Sequence, residues 1–487
     1  MGDFTRLLRR RGVACTGAVG SVALGCWLVA CSSSDTSQGI AGSGMGGASM
    51  SSSGVSTGGA GGGTTSAASD AGSGGVVGAL ADATAAVDAR EDVAVGNDGA
   101  DATAADGSGA APAPLAATPP LGWNSYNTFG CNISESLLEA TADAMVTSGM
   151  QAAGFEYVNI DDCWMDGRDA SGTLQWNASK FPSGIPALGE YLHGKGLKLG
   201  IYETPNTVTC VGLYKGIAHS VAVGSLGHEA QDARTFASWG IDYLKYDLCE
   251  GQLSSFAVMR DALRATGRPI VYSINPGNGS GCPPTGLTTS TCGLDLPSIA
   301  NLWRIGFDIN ASWSSITGLI DQDAPLAPYA SPGHWNDPDM LEVGNGSLSV
   351  DESKSHFSMW AMLAAPLLAG NDLRSMPSAV QSILTNTEII AVDQDPLGKQ
   401  ARRVATPQSG LEVWSKTLSG SNARAVALLN RNAAAASISV TFGEIGLSSG
   451  PASVRDLWQH AELGTFNGSY AATSVPSHGV MMLRITQ

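Results

Sequence analysis

Positive charge is scarce in this chain: 26 lysines and arginines stand against 43 aspartates and glutamates over 487 residues, a formal charge of -17. A nucleic-acid-binding surface needs a positive field to meet the polyanion, so this balance argues against one and otherwise identifies no partner. No two cysteines are spaced CxxC, which argues against a zinc site of clustered thiolates. From Ser32 to about Pro114 there is no aromatic residue; the stretch is dominated by Gly, Ser, Ala and Thr, with nine acids and one arginine, Arg90. Such a segment cannot bury enough apolar surface to offset the entropy lost on ordering. Residues 32–114 therefore read as a flexible, weakly acidic tether.

What is present begins with an export signal. Arg6, Arg9, Arg10 and Arg11 precede an apolar run from Gly12 to Cys31, the layout of a secretory signal over residues 1–31. The run ends "LVAC", which resembles a bacterial lipobox and makes Cys31 the expected lipidated first residue of the mature chain. A plain signal peptide and an N-terminal membrane anchor are the alternatives. All three place the remainder outside the cytoplasm, in a bacterial cell envelope or beyond it. Beyond this segment lie six cysteines, an even number, as an oxidising compartment favours.

From "TPPLGWNSYN" onward short apolar runs alternate with helical patterns. After the Gly-Trp run come "FEYVNIDD", "LKLGIYE", "IDYLKYDLC", "PIVYSIN", "NLWRIGFD", "GHWNDPDM" and "APLLAGNDL". Helical stretches such as "SLLEATADAMVTSGMQAAG" and "HEAQDARTFASWG" end on glycine, as C-terminal caps do. The rhythm and length predict a (β/α)₈ barrel over residues 115–397. After "AVDQDPLGKQ" the apolar period becomes two, in "LEVWSKTL", "ARAVALLNR", "ASISVTF" and "GVMMLRIT". That predicts an antiparallel β-sandwich over residues 398–487.

Inward positions near the C-terminal ends of barrel strands open onto the active-site mouth. Acids gather there: Asp161 and Asp162, Asp247 with Lys245, Asp308 with Arg304, and Asp337 with Asp339. Any one aspartate reads equally well as the cap of the following helix; four such strand ends in one barrel do not. Two carboxylates across a sugar cleave a glycosidic bond when one attacks the anomeric carbon and the other protonates the leaving oxygen. Lys245 is placed to keep Asp247 ionised, whereas Asp308 needs a raised pKa that Arg304 would oppose. Trp123 and Trp164 suit the apolar face of a sugar ring, although core packing is the commoner fate of a tryptophan. A metal hydrolase is the competing chemistry. Such sites recruit histidine, and His334 is the only one close to these acids in sequence. A Gly-x-Ser-x-Gly run, Gly446 to Gly450, lies in the β-domain without the strand-turn-helix a serine hydrolase requires.

In order and spacing, "PPLGWNSYNTFGC", "NIDDCW", "GIYE", "YLKYDLC", "WRIGFDI", "HWNDPDMLEVG", "HFSMWAMLAAPLLAGNDLRSM" and "IIAVDQDPLGKQ" resemble glycoside hydrolase family 27, the α-galactosidases and α-N-acetylgalactosaminidases. The resemblance runs from about Thr118 to the C-terminus. It implies a retaining mechanism with Asp247 as nucleophile and Asp308 as general acid/base. It also implies that Asp161 and Asp162 hold the 4- and 6-hydroxyls, and that Lys245 and Arg304 bind near the 2- and 3-hydroxyls. Trp123, Tyr202 and Asp339 are implied as further sugar-binding residues. Disulfides Cys131–Cys163 and Cys210–Cys249 follow from the resemblance too, which leaves Cys282 with Cys292 as a third pair. Where many members carry an acid after the fifth strand, this chain has Asn275, which loosens expectations about the 2-substituent.

The expected activity is release of terminal α-D-galactose from oligosaccharides, galactomannans or glycoconjugates, with no metal or organic cofactor. A β-L-arabinopyranosidase or α-N-acetylgalactosaminidase is the alternative within the fold, and a non-catalytic carbohydrate-binding surface protein lies outside it. Retention of both Asp247 and Asp308 speaks against the last. Oligomeric state is not legible in the sequence.

Overall fold

The run Lys198–Glu203 is buried at five of its six positions, as a strand covered on both faces must be, and that is the condition of parallel sheet. In the computed structural model, which describes residues 114–250, 252–277, 295–420 and 422–487, it is the third of eight such strands. They are β1 Leu121–Asn124, β2 Tyr157–Asn159, β3 Lys198–Glu203, β4 Tyr243–Asp247, β5 Val271–Asn275, β6 Leu302–Arg304, β7 Trp335–Asp337 and β8 Leu367–Ala369. All pairs are parallel, in the order β8-β1-β2-β3-β4-β5-β6-β7. A bridge between Leu341, just past β7, and Ala369 of β8 closes the ring. The expected (β/α)₈ barrel is present. The segments read as signal and tether, Cys31, and the Cys282–Cys292 pair lie outside the described residues.

Helices follow the strands, as in Glu135–Thr147 and Glu229–Ser238; the first stops at Thr147, short of Gly154, the glycine expected to close it. Gly149 and Gly240 just beyond them have φ of 86° and 77°, the left-handed turn that glycine makes without a Cβ penalty. A short antiparallel hairpin, Met165–Arg168 with Leu174–Trp176, follows β2 and was not anticipated from sequence. Among the described residues no helix is long and apolar enough to cross a membrane.

The barrel interior changes character along its axis. At the N-terminal ends Tyr157, Tyr243, Val271, Leu302 and Trp335 form one buried apolar cluster. Two residues further along the same strands stand Asn159, Lys245, Ser273, Arg304 and Asp337, and beyond these Asp161, Asp247, Asn275 and Asp339. Because the strand period is two, all belong to the parity that points inward. The mouth is therefore polar and the floor is a plug.

The C-terminal residues form a six-stranded antiparallel sheet, with β9 Arg402–Gln408, β10 Leu411–Thr417, β11 Ala423–Asn430, β13 Pro451–Asp456, β14 Ala461–Asn467 and β16 Val480–Thr486 in the order β9-β10-β11-β16-β13-β14. A second sheet pairs β12 Ala436–Thr441 with β15 Ser469–Val475. Alternate residues of both, including Val413, Val426, Ile438, Val440 and Leu483, meet in one apolar core, as a sandwich requires. The sandwich is joined to the barrel through helix Val350–Leu363. Lys416 Nζ donates to Ala361 O at 2.9 Å, and Ser355 Oγ donates to His478 O at 2.7 Å.

That helix opens on a reciprocal cap: Ser349 Oγ accepts from the Glu352 amide at 3.1 Å, and Glu352 Oε2 accepts from the Ser349 amide at 2.8 Å. Ser349→Ala removes one half of it and should cost about 1 kcal/mol of stability. An unmoved midpoint in chemical denaturation would show that the cap contributes nothing.

Candidate active site

Lys245 projects into the barrel and its Nζ donates to Asp161 Oδ2 at 2.7 Å. Asn124 Nδ2 donates to the same oxygen at 2.9 Å, and the Asp162 amide donates to Oδ1 at 2.9 Å. Asp162 is fixed in turn by the amides of Cys163 at 2.7 Å and Val211 at 3.1 Å. These two carboxylates are built into the wall, and their lone pairs are aimed by backbone amides.

Opposite them, Arg304 Nη2 donates to Asp308 Oδ1 at 3.1 Å and to Asp339 Oδ2 at 2.9 Å. Asp339 adopts φ of 90°, a costly conformation for a residue with a side chain. It is held there by several hydrogen bonds. Its amide donates to Asp337 Oδ1 at 2.8 Å, its carboxylate accepts from the amides of Ile309 and Met340, and its carbonyl accepts from Trp360 Nε1 at 2.7 Å. Cys163 is a second strained residue, with φ of 80°, pinned by its disulfide to Cys131 and by Lys180 Nζ on its carbonyl at 2.8 Å. Strain beside both acid pairs is what over-determined active-site geometry looks like.

Asp161, Asp162, Tyr202, Lys245, Asp247, Asn275, Arg304, Asp308 and Asp339 all line one cavity of about 1260 Å³ at the strand C-termini. Trp123 and Trp164 do not. Both are wholly buried in the core, with their indole N–H groups donating to Asn371 O and Tyr202 O. The expectation that Trp123 lines the sugar site is corrected: the aromatic wall at that point is Tyr126, three residues on. β1 ends at Asn124, so Tyr126 opens the short helix Tyr126–Phe129 at the mouth while Trp123 is still within the strand. That boundary was the available signal. Tyr214, Lys215 and Asn345 also line the cavity; they lie in connections, where no periodicity marks them. His334 immediately precedes β7 and so lies at the opposite end of the barrel from the acids.

Disulfides Cys131–Cys163 and Cys210–Cys249 are both formed, spanning 32 and 39 residues. The second ties the residue two beyond Asp247 to helix Cys210–Tyr214. Cys210, Asp247 and Cys249 bring three ligand-type atoms within 4.8 Å, but the two sulfurs are bonded to each other and are not thiolate donors.

A parallel barrel with carboxylates massed at its mouth, followed by a β-sandwich, matches two family descriptions: alpha galactosidase A over residues 118–395, and the alpha galactosidase C-terminal beta sandwich domain over residues 408–485. The chain belongs to this family, glycoside hydrolase family 27. It is 47% identical to alpha-galactosidase 2 of Arabidopsis thaliana over 379 residues, covering 77% of this chain and 90% of the relative. It is 44% identical to the alpha-galactosidase of Cyamopsis tetragonoloba over 383 residues, 76% of this chain and 87% of the relative. The crystal structure of alpha-galactosidase I from Mortierella vinacea superposes with a TM-score of 0.68 at 34% identity, over 77% of this chain and 98% of that one.

Burial is the largest influence on most of the acids here. It pushes Asp247 up to about 6, against the pull of Lys245, and raises Asp162 and Asp337 to about 6 as well. Asp308 moves the other way, held down first by Arg304. At the domain junction burial raises Asp393 to about 8. A carboxyl whose pKa is higher folded than unfolded binds its proton more tightly in the native state, so its stabilisation is present below the unfolded value and is lost as pH rises through the folded one. His356, lowered to about 3 by burial, and Lys416, lowered to about 8, act oppositely but are outnumbered by the raised carboxyls. The melting temperature should therefore rise as pH falls from 8 to 5. Calorimetric scans giving the higher value at pH 8 would contradict this balance.

Proposed function

We propose that the chain hydrolyses terminal α-D-galactosides with net retention, Asp247 attacking the anomeric carbon and Asp308 protonating the departing oxygen. The observation that carries the reading is the joint placement of these two carboxylates in one cavity with the Lys245–Asp161 pair and Arg304. Asp247 with a pKa of about 6 is mostly ionised at neutral pH and can act as a nucleophile. In the second half of the reaction Asp308, now a base, takes a proton from water, and water opens the glycosyl ester on Asp247.

The fixed oxygens of Asp161 and Asp162 suit hydroxyls of defined direction. With the pair taking the 4- and 6-hydroxyls, an axial 4-hydroxyl would separate galactose from glucose, because the wrong epimer forgoes a hydrogen bond to a charged acceptor. The intact acidic pair also weighs against a β-L-arabinopyranosidase, whose sugar lacks the hydroxymethyl group. At the other side Asn275 brings no charge, and its Oδ1 already accepts the Gly277 amide at 3.1 Å. That neutral position keeps α-N-acetylgalactosaminide as the second substrate to assay. For residues 1–114 the reading is export, with lipidation at Cys31 and a tether to the membrane; the two disulfides suit an oxidising compartment.

Asp247→Asn should abolish turnover of nitrophenyl α-galactoside while galactose binding survives, and wild-type turnover should release the α-anomer first by proton NMR. Turnover by the variant, or a β-anomer first, would end the mechanism. Turnover of α-N-acetylgalactosaminide with little of α-galactoside would move the assignment to the second substrate. Because Lys245 lowers the pKa of Asp247, Lys245→Met should shift the acid limb of the kcat/KM profile from near pH 6 to higher pH as well as slowing the reaction. A limb that stayed in place would detach Asp247 from the lysine field.

A further inference from the structure

At about 1260 Å³ the cavity exceeds the roughly 300–1,000 Å³ that encloses a drug-sized molecule, so a galactosyl unit fills only part of it. On the rim beyond the acids stands Tyr214, 63% exposed. Exposed aromatic rings are rare in this molecule: among the exposed large apolar side chains of the described residues, two are aromatic, Tyr214 and Phe307. Phe307 immediately precedes Asp308 in the chain.

Tyr214 is exposed yet not loose. Its hydroxyl donates to Cys249 O at 2.8 Å, and its helix is fastened to the end of β4 through Cys210–Cys249. Both restraints refer the ring to the residue two beyond Asp247. Its neighbour Lys215 lies with Nζ 5.0 Å from the centre of the Tyr126 ring, which ties the same segment to the opposite turn. A ring with one free face and few remaining rotamers gains contact area at small entropic loss on binding.

Resting on the α-galactosidase reading, we propose that Tyr214 is the platform on which the leaving-group sugar of an oligosaccharide α-galactoside stacks. A pyranose offers a C–H face to an aromatic ring, and the ring supplies apolar contact without demanding one hydroxyl pattern. The occupant is a neutral sugar: the cavity is lined by seven carboxylates against three cations, a field that repels uronate or sulfated units. Substrates with a sugar beyond the galactosyl bond thus engage a surface that small alkyl galactosides leave uncovered.

The test compares kcat/KM for an α-1,6-galactosyl disaccharide with that for methyl α-galactoside, in wild type, Tyr214→Ala and Tyr214→Phe. The disaccharide-to-methyl ratio should fall about 3- to 10-fold in Tyr214→Ala, the size of one aromatic contact, through the KM of the disaccharide. Tyr214→Phe should keep the ratio within about twofold, since the face remains. An unchanged ratio in the alanine variant, or an equal fall in the phenylalanine variant, would overturn the proposal, the latter by assigning the effect to the hydroxyl's hold on Cys249. Should wild type turn over neither glycoside, the α-galactosidase reading fails. Calorimetric binding of the disaccharide then decides the platform: weaker binding to Tyr214→Ala supports it and equal binding overturns it.

Discussion

One partly buried ion pair organises the mouth of the barrel: Lys245 Nζ on Asp161 Oδ2 at 2.7 Å. An ammonium taken from water into a protein interior is expensive unless its charge is matched and its protons are bonded. Here burial opposes the charge of Lys245, and the combined field of Asp161, Asp247 and Asp339 outweighs it, so the lysine is held charged. The reverse holds for the acids. Each depends on Lys245 or Arg304 to remain anionic among like charges, and loss of either cation would leave carboxylates buried without a partner, a defect of about 3–5 kcal/mol for a broken buried pair. Charge alternates across the cavity, from Asp161 to Lys245 and from Asp308 through Arg304 to Asp339, and that alternation lets so many acids share one small space.

Such a network is stable only on rigid supports. Beneath it the Tyr157, Tyr243 and Trp335 plug is buried to a few per cent exposure or less, and the rings of Tyr157 and Tyr243 lie 5.5 Å apart. At the sides the strained Cys163 and Asp339 are each clamped by several bonds, and Gly277, with φ of 69°, passes so close to Leu248 O that no Cβ could fit. That approach joins the ends of β4 and β5, and with them Asp247 to Asn275. Precision in the first layer of side chains is supplied by tight backbone packing in the second.

Much of this was legible in the chain. Eight apolar runs, the switch from helical to two-residue period near residue 400, and acids recurring at one parity of the strands all follow from local physics: a strand buried on both faces must be apolar, and an inward charge is tolerable only at the open end. The error at Trp123 marks the limit of that logic. Size and chemistry made tryptophan the natural sugar-facing ring, but where a strand stops decides which residue emerges at the mouth, and boundaries are set by tertiary packing. Tyr214 and Lys215 were unreadable for another reason. They occupy a connection whose course is dictated by a disulfide and by hydrogen bonds to Asp162 and Cys249, none of which leaves a periodic trace.

The two proposed catalytic carboxylates stand, in the substrate-free protein, in the reverse of the order the chemistry needs. Asp247, which must attack as an anion, is raised to about 6 by burial, while Asp308, which must donate a proton, is held low by Arg304 and has 87% of its side chain exposed. Exposure is the key to the contradiction. Asp247, only partly exposed at the end of β4, has already lost much of its hydration, so a bound sugar changes it less. Asp308 has not, and a sugar lying over it strips away its water, weakens the ionised form and makes the proton harder to lose. Arg304 already shares one nitrogen between Asp308 and the fixed Asp339, so any turn of that guanidinium toward a sugar hydroxyl would loosen its hold on Asp308 first. On this view the general acid is made by the substrate, and the cavity protonates the leaving oxygen only when there is one to protonate.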